Sequence, residues 1–314
     1  MQKATAPAEG SVRADIHQDF EKTAVRVSCV SIGVNLLLSV GKLLAGIFAH
    51  SGAMVSDAVH SASDVFSSII VIIGVKLAGK EADRDHPYGH ERFECVAAII
   101  LAVVLLISGL FIGHAGIETL LDSDRTAPVI PGVLALVAAA VSIAVKEGMY
   151  WFTRHYGKKY NSGALMADAW HHRSDALSSV GALAGILGAR MGYPIADTVA
   201  SLLICVFIAK AAYDIFKDAV GKMVDRSCSH ETEQAIHDCA AAIPGVIKVD
   251  LLHTRMFGSR VYVDIEIRAD GKLTLEEGHE IARQVHVAVE EQFPDVKHIM
   301  VHVNPYVADE TRPK

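Results

Sequence analysis

The sequence predicts a membrane α-helical protein: six transmembrane helices followed by a small α+β cytoplasmic domain. Three observations predict it. The 314 residues are 51% hydrophobic with a mean hydropathy of +0.32, too apolar for a soluble chain of this size. Six apolar segments, each long enough to cross a bilayer, precede residue 226. After residue 226 the pattern changes to short alternating runs.

Residues 1–24 are polar, without the apolar core of a cleaved signal, and read as a cytoplasmic leader. The first span is expected from Cys29 to Ala49 and the second, after His50-Ser51-Gly52, continues to about Leu77. A third covers Cys95 to Ile117, a fourth Val129 to Phe152, a fifth Ser162 to Ala189, and a sixth runs from after Pro194 to near Ile215. Basic residues sort by loop. Lys80, Arg84 and Arg92 flank the loop after span two, Arg154, Lys158 and Lys159 follow span four, and Lys217, Lys222 and Arg226 follow span six; the opposite loops carry Arg125 and Arg190. The positive-inside rule then puts both termini in the cytoplasm. The expected organisation is a leader (1–24), a membrane domain (25–226), a cytoplasmic domain (227–308) and a short tail (309–314).

In the cytoplasmic domain Ser229 is placed to cap a helix that Pro244-Gly245 ends. Val246 to Phe257 and Arg260 to Ala269 read as strands around Gly258-Ser259. In the second, Val261, Val263, Ile265 and Ile267 alternate with polar residues. Thr274 and Glu277 have the spacing of a capping box, opening a helix with Ile281, Val285, Val289 and Phe293 on one side. Lys297 to Val303 is the last strand. The order is αββαβ, a ferredoxin-like arrangement.

Two copies of one motif carry the chemistry: Asp57-Ala-Val-His60-Ser-Ala-Ser-Asp64 in span two and Asp168-Ala-Trp-His171-His172-Arg173-Ser174-Asp175 in span five. Spacings of three and four put each Asp-His-Asp set on one helix face. Carboxylates inside a bilayer cost roughly 2.5 to 3.5 kcal/mol each on insertion scales, so repeated ones mark a polar site. Two imidazoles and two carboxylates meeting between helices make a mixed nitrogen and oxygen set that tetrahedral zinc accepts. Other classes fit less well. The net charge of -7 and the absence of a basic run argue against nucleic acid. Five dispersed Cys form no C-x-x-C pair. An H-E-x-x-H protease helix is absent, since the nearest match, His279-Glu280, has Arg283 where the second His belongs. A membrane-anchored metal sensor would explain the cytoplasmic domain but not ligand pairs in two spans.

With these motifs, the loop Asp83-Arg84-Asp85-His86-Pro87-Tyr88-Gly89-His90-Glu91 and the αββαβ domain, the chain resembles the cation diffusion facilitator family over about residues 20–306. The likeness is to its bacterial zinc and iron exporters. The resemblance implies a zinc/proton antiporter, a homodimer in a bacterial cytoplasmic membrane, with iron(II), cobalt or manganese as alternative cargo. It implies a transport site of His60, Asp64, His171 and Asp175. It further implies a structural or regulatory metal at Asp83, His86 and His90. In the cytoplasmic domain it implies metal held between subunits by Asp250, His279 and His302. Asn304 stands where relatives can carry Asp, and Glu266 occupies another ligand position, so a single-ion site is expected there. Metal binding to imidazole requires the neutral ring, so protons and metal compete for one site, the thermodynamic basis of antiport.

Overall fold

The structure is a computed structural model that describes residues 9–48, 61, 64–121, 133–190 and 195–306. It divides into two compact units, one ending at Val220 and the other beginning at Gly221.

The first unit is helical: α1 (Glu9–Phe48), α2 (Val65–Ala78), α3 (Arg92–Leu121), α4 (Val133–Lys159), α5 (Gly163–Arg190) and α6 (Ile195–Met223). Among the described residues, Asp19–Ala45 and Arg92–Phe111 are by themselves long and apolar enough to cross a membrane. Helix α2 is apolar but shorter, and α4 and α5 carry charges in and around the site, Lys146 in α4 and Asp168 and Asp175 in α5. Small residues set the packing. Ala24 and Val27 of α1, Val71 and Val75 of α2, Ala97 and Leu101 of α3, and Ala164, Leu165 and Ala167 of α5 form one buried cluster. The alanines among them let membrane helices approach closely, where dispersion rather than hydrophobic transfer holds them together. Gly74 shows how closely: a Cβ there would collide with the Cβ of Ala97. Large apolar side chains such as Leu37, Phe111, Val206 and Phe207 point outward.

Helix α1 starts at Glu9, far inside the stretch read as a leader. Its sequence is polar there, but no Pro or Gly falls between Ser11 and Ile32 to stop a helix. Phe20 is also buried, its ring 5.2 Å from that of Tyr160. Helices α4 and α6 likewise run seven or eight residues past the expected ends of their spans, as the polar turns continue the helix beyond the apolar stretch.

The second unit has the expected order: α7 (His230–Ala241), β1 (Lys248–Phe257), β2 (Arg260–Asp270), α8 (Leu275–Gln292) and β3 (Val296–Tyr306). The sheet order is β1-β2-β3, with β1 antiparallel and β3 parallel to β2. Gly258, at φ 67°, makes the β1–β2 turn with a conformation that costs other residues strain. Ile236, Val263, Ile265, Ile267, Val285, Val289 and Ile299 fill the core between helices and sheet, with Ile281 and Phe293 packed against it.

Both predicted caps are present. The Ser229 side chain accepts from Thr232 N at 3.2 Å. At α8, Thr274 Oγ1 accepts from Glu277 N at 3.3 Å while Glu277 Oε2 accepts from Thr274 N at 2.8 Å. Thr274→Ala is therefore expected to lower the stability of this unit by about 1 kcal/mol, read as a lower midpoint in urea followed by circular dichroism. The N–H of Thr274, then its hydroxyl, hold the Glu277 carboxyl below the usual range. A depressed carboxylate stabilises above its unfolded value, near 4.3, and that contribution is lost as pH falls further, through the folded value. The Thr274→Ala difference should accordingly shrink in acid below about pH 4.

Candidate metal centres

Asp64 stands at the N-cap of α2, but its side chain caps no helical N–H. Its carboxylate turns instead toward α4 and α5. Asp64 Oδ1 lies 3.5 Å from His171 Nε2, and Asp64 Oδ2 accepts from Lys146 Nζ at 2.5 Å. Lys146 also donates to Asp175 Oδ2 at 2.9 Å. One face of α5 supplies both His171 and Asp175, four residues apart. Asp64, His171 and Asp175 are all buried and each offers a ligand atom within 4.8 Å of the others. Of the four residues expected at this centre, three are brought together. His60, like Asp57, lies outside the described residues.

Asp168 does not enter this cluster. It is fully buried one turn away, where Ser67 Oγ donates to its Oδ1 at 2.9 Å and His172 Nε2 lies 3.5 Å from its Oδ2. The same Ser67 hydroxyl lies 2.8 Å from the backbone carbonyl of Asp64, so its one proton is shared between the two acceptors. The Asp168 carboxylate thus connects α5 to the turn of chain that presents Asp64. Arg173, on the outer side of α5, lies over the Tyr150 ring at 4.4 Å and 3.7 Å from Glu147, packing α5 on α4.

The second cluster is in the loop between α2 and α3. Asp83 Oδ1 accepts from the backbone N–H groups of His86, at 2.7 Å, and Asp85, at 3.0 Å. That turn brings His86 Nδ1 to 3.4 Å from Asp83 Oδ1 and His90 Nε2 to 3.3 Å from Asp83 Oδ2. His90 Nδ1 meets the carbonyl of Glu81 at 3.1 Å, leaving Nε2 as the nitrogen aimed at the carboxylate. The His86 N–H, first among several causes, keeps the Asp83 carboxyl below the ordinary carboxylate range. The segment is a folded loop, not a helix, and its three ligand atoms converge.

The cytoplasmic residues behave differently. Within one chain, Asp250, His279 and His302 form no such cluster. Asp250 is engaged by Arg268 through two bonds, Nε to Oδ2 at 3.0 Å and Nη2 to Oδ1 at 2.9 Å. Asn304 Nδ2 donates to Glu266 at 3.0 Å and reaches Asp250 at 3.4 Å. His279 and His302 are exposed. The guanidinium of Arg268 therefore sits where a metal would have to meet Asp250.

Residues 28–224 match the family model described as the cation efflux transmembrane domain, and residues 228–306 match the cation efflux protein cytoplasmic domain. The chain belongs to the cation efflux family. Among similar members is the manganese efflux system protein MneP of Bacillus subtilis, 31% identical, the match covering 91% of this chain and 97% of MneP. Another is metal tolerance protein C1 of Arabidopsis thaliana, 31% identical over 93% of this chain and 65% of the longer plant protein. Magnetosome protein MamB of Paramagnetospirillum magneticum is 28% identical over 88% of this chain and 93% of its own length. A solved MamM CTD structure is 28% identical, covering 24% of this chain and 96% of that one, with a TM-score of 0.24. This cation efflux protein is an integral membrane transporter of divalent metal cations with a cytoplasmic C-terminal domain, and not an enzyme.

Three residues at the membrane centre were not assigned from sequence: Lys146, Ser67 and His172. Lys146 carried a usable signal, a lone cation within the apolar run of α4. Ser67 carried none, because a serine in a membrane helix most often bonds its own backbone.

Proposed function

We propose that this cation efflux protein exports zinc in exchange for protons, using Asp64, His171 and Asp175 together with His60 as the ion-binding set. The observation that carries the reading is the approach of His171 Nε2 to Asp64 Oδ1 at 3.5 Å inside the bundle. A proton on that nitrogen points at that oxygen. A metal bound to both takes the same place, so one position accepts either cation and not the two together. If it opens alternately to each side, an inward proton gradient drives metal outward. Imidazole nitrogen favours zinc over harder ions.

Manganese is the second reading, favoured by the likeness to MneP and by the two carboxylates, which suit a harder ion. Iron(II) and cobalt also fit a mixed set. The loop cluster of Asp83, His86 and His90 is proposed to hold a structural or regulatory ion. In a homodimer, metal at Asp250, His279 and His302 would have to draw ligands from both subunits and displace Arg268 from Asp250. The decisive measurement is flux of zinc, iron(II), manganese and cobalt into reconstituted vesicles, with and without an imposed pH difference. Zinc flux should be largest and should collapse without the gradient. Zinc flux indifferent to pH removes the antiport, and faster manganese flux replaces zinc as cargo.

A further inference from the structure

Among the described residues, Lys146 is a buried cation at the membrane centre for which the transport reading has no use. Its side chain, about 3% exposed, ends between the carboxylates of Asp64 and Asp175, donating to the Oδ2 atom of each at 2.5 and 2.9 Å. These are the two carboxylates proposed to hold the exported ion. A divalent ion binds carboxylate oxygen at roughly 2.0 to 2.2 Å, so an ion that takes both Oδ2 atoms claims the ground on which the ammonium stands. One that takes the other oxygens still faces a positive charge across the same carboxylates.

We propose that Lys146 is a tethered competitor ion, whose ammonium occupies the carboxylate pair that receives the exported divalent cation and must be dislodged by it. The inference rests on the transport reading and deepens it. A lysine suits the task, since its compact charge rides on four flexible carbons and can withdraw without any backbone change. Two consequences follow from charge alone. A monovalent ion gains nothing by replacing an ammonium that is already attached, whereas a divalent ion neutralises both carboxylates. The pair thereby selects for charge two before any ligand chemistry discriminates among metals. Returning ammonium also helps expel the metal, and a transport site must release its ion as well as bind it.

The test uses the full-length protein in lipid nanodiscs and vesicles, with zinc chloride as the probe. Asp64→Asn identifies the share of binding that belongs to the membrane centre. Lys146→Met fills the same space without charge, and Lys146→Gln keeps N–H donors for the carboxylates. In both, zinc should bind the membrane centre roughly tenfold more tightly or better, with KM lowered and maximal flux reduced because release is slowed. Sodium chloride should raise KM in both variants and leave it unchanged in the wild type, a response that a merely structural lysine would not produce. Folded variants whose zinc affinity is unchanged or weaker overturn the proposal. Should neither variant fold, amine methylation of the wild type read by mass spectrometry decides. Zinc must increase labelling of Lys146, and unchanged or diminished labelling overturns the idea. If the wild type shows no Asp64-dependent zinc binding, the transport reading fails and takes this one with it; if it does and the lysine tests fail, only the competitor role is lost.

Discussion

With His171 replaced by Ala, zinc flux into reconstituted vesicles is expected to fall by roughly a hundredfold or more, beyond the 10 to 100-fold typical of losing a supporting residue. Among the described residues His171 supplies the only metal-ligating nitrogen in the cluster with Asp64 and Asp175. Its loss leaves two carboxylates, already bridged by Lys146. Lys146 still donates to both of them, so the bundle should still assemble, and the cytoplasmic unit should keep its own unfolding transition. His172→Ala is the informative neighbour, because His172 faces Asp168 rather than the cluster. Its flux should exceed that of the His171 variant. Near-wild-type transport in His171→Ala would remove the membrane centre from the mechanism.

Asp168→Ala should produce the largest loss of stability, about 3 kcal/mol, the range for removing one partner of a buried charged hydrogen-bond network. The carboxylate is completely buried and accepts from Ser67, which also holds the carbonyl of Asp64. Its removal leaves the Ser67 hydroxyl only the carbonyl of Asp64, breaking the tie between α2 and α5, and leaves His172 without its nearby carboxylate. Asp168→Asn keeps an acceptor for Ser67 and should lose less. Thermal unfolding in detergent, followed by tryptophan fluorescence, gives the comparison. Equal melting of wild type and Asp168→Ala would mean that the buried carboxylate holds nothing together.

The cytoplasmic fold was readable nearly residue by residue because its signals are local: alternation in β2, the spacing of Thr274 and Glu277, glycine at the β1–β2 turn. The pairing of Asp64 with His171 and Asp175 was readable because the same pattern occurs twice in apolar helices. What sequence could not supply was the third helix of that centre. Nothing in the order of residues says that Lys146 of α4 reaches carboxylates 82 and 29 positions away. The same holds for Arg268, which belongs to the strand beside Asp250 and closes on it only once β1 and β2 pair. A bulge between Val249 and Leu251 interrupts their register at Asp250. The start of α1 at Glu9 lies ahead of the expected span for a different reason. Polarity marks that stretch as outside the span and says nothing of where the helix begins, whereas helix propensity and the packing of Phe20 against Tyr160 carry the helix on.

That long first helix has a mechanical implication. Forty residues at about 1.5 Å each make a rod of roughly 60 Å, against a hydrocarbon slab of about 30 Å. The stretch Asp19–Ala45 is the part apolar enough to cross a membrane, so the turns before it carry the helix on beyond the apolar stretch. A dye attached near Glu9 would swing through a wide arc for a small rocking of the buried portion, giving an amplified optical record of the transport cycle.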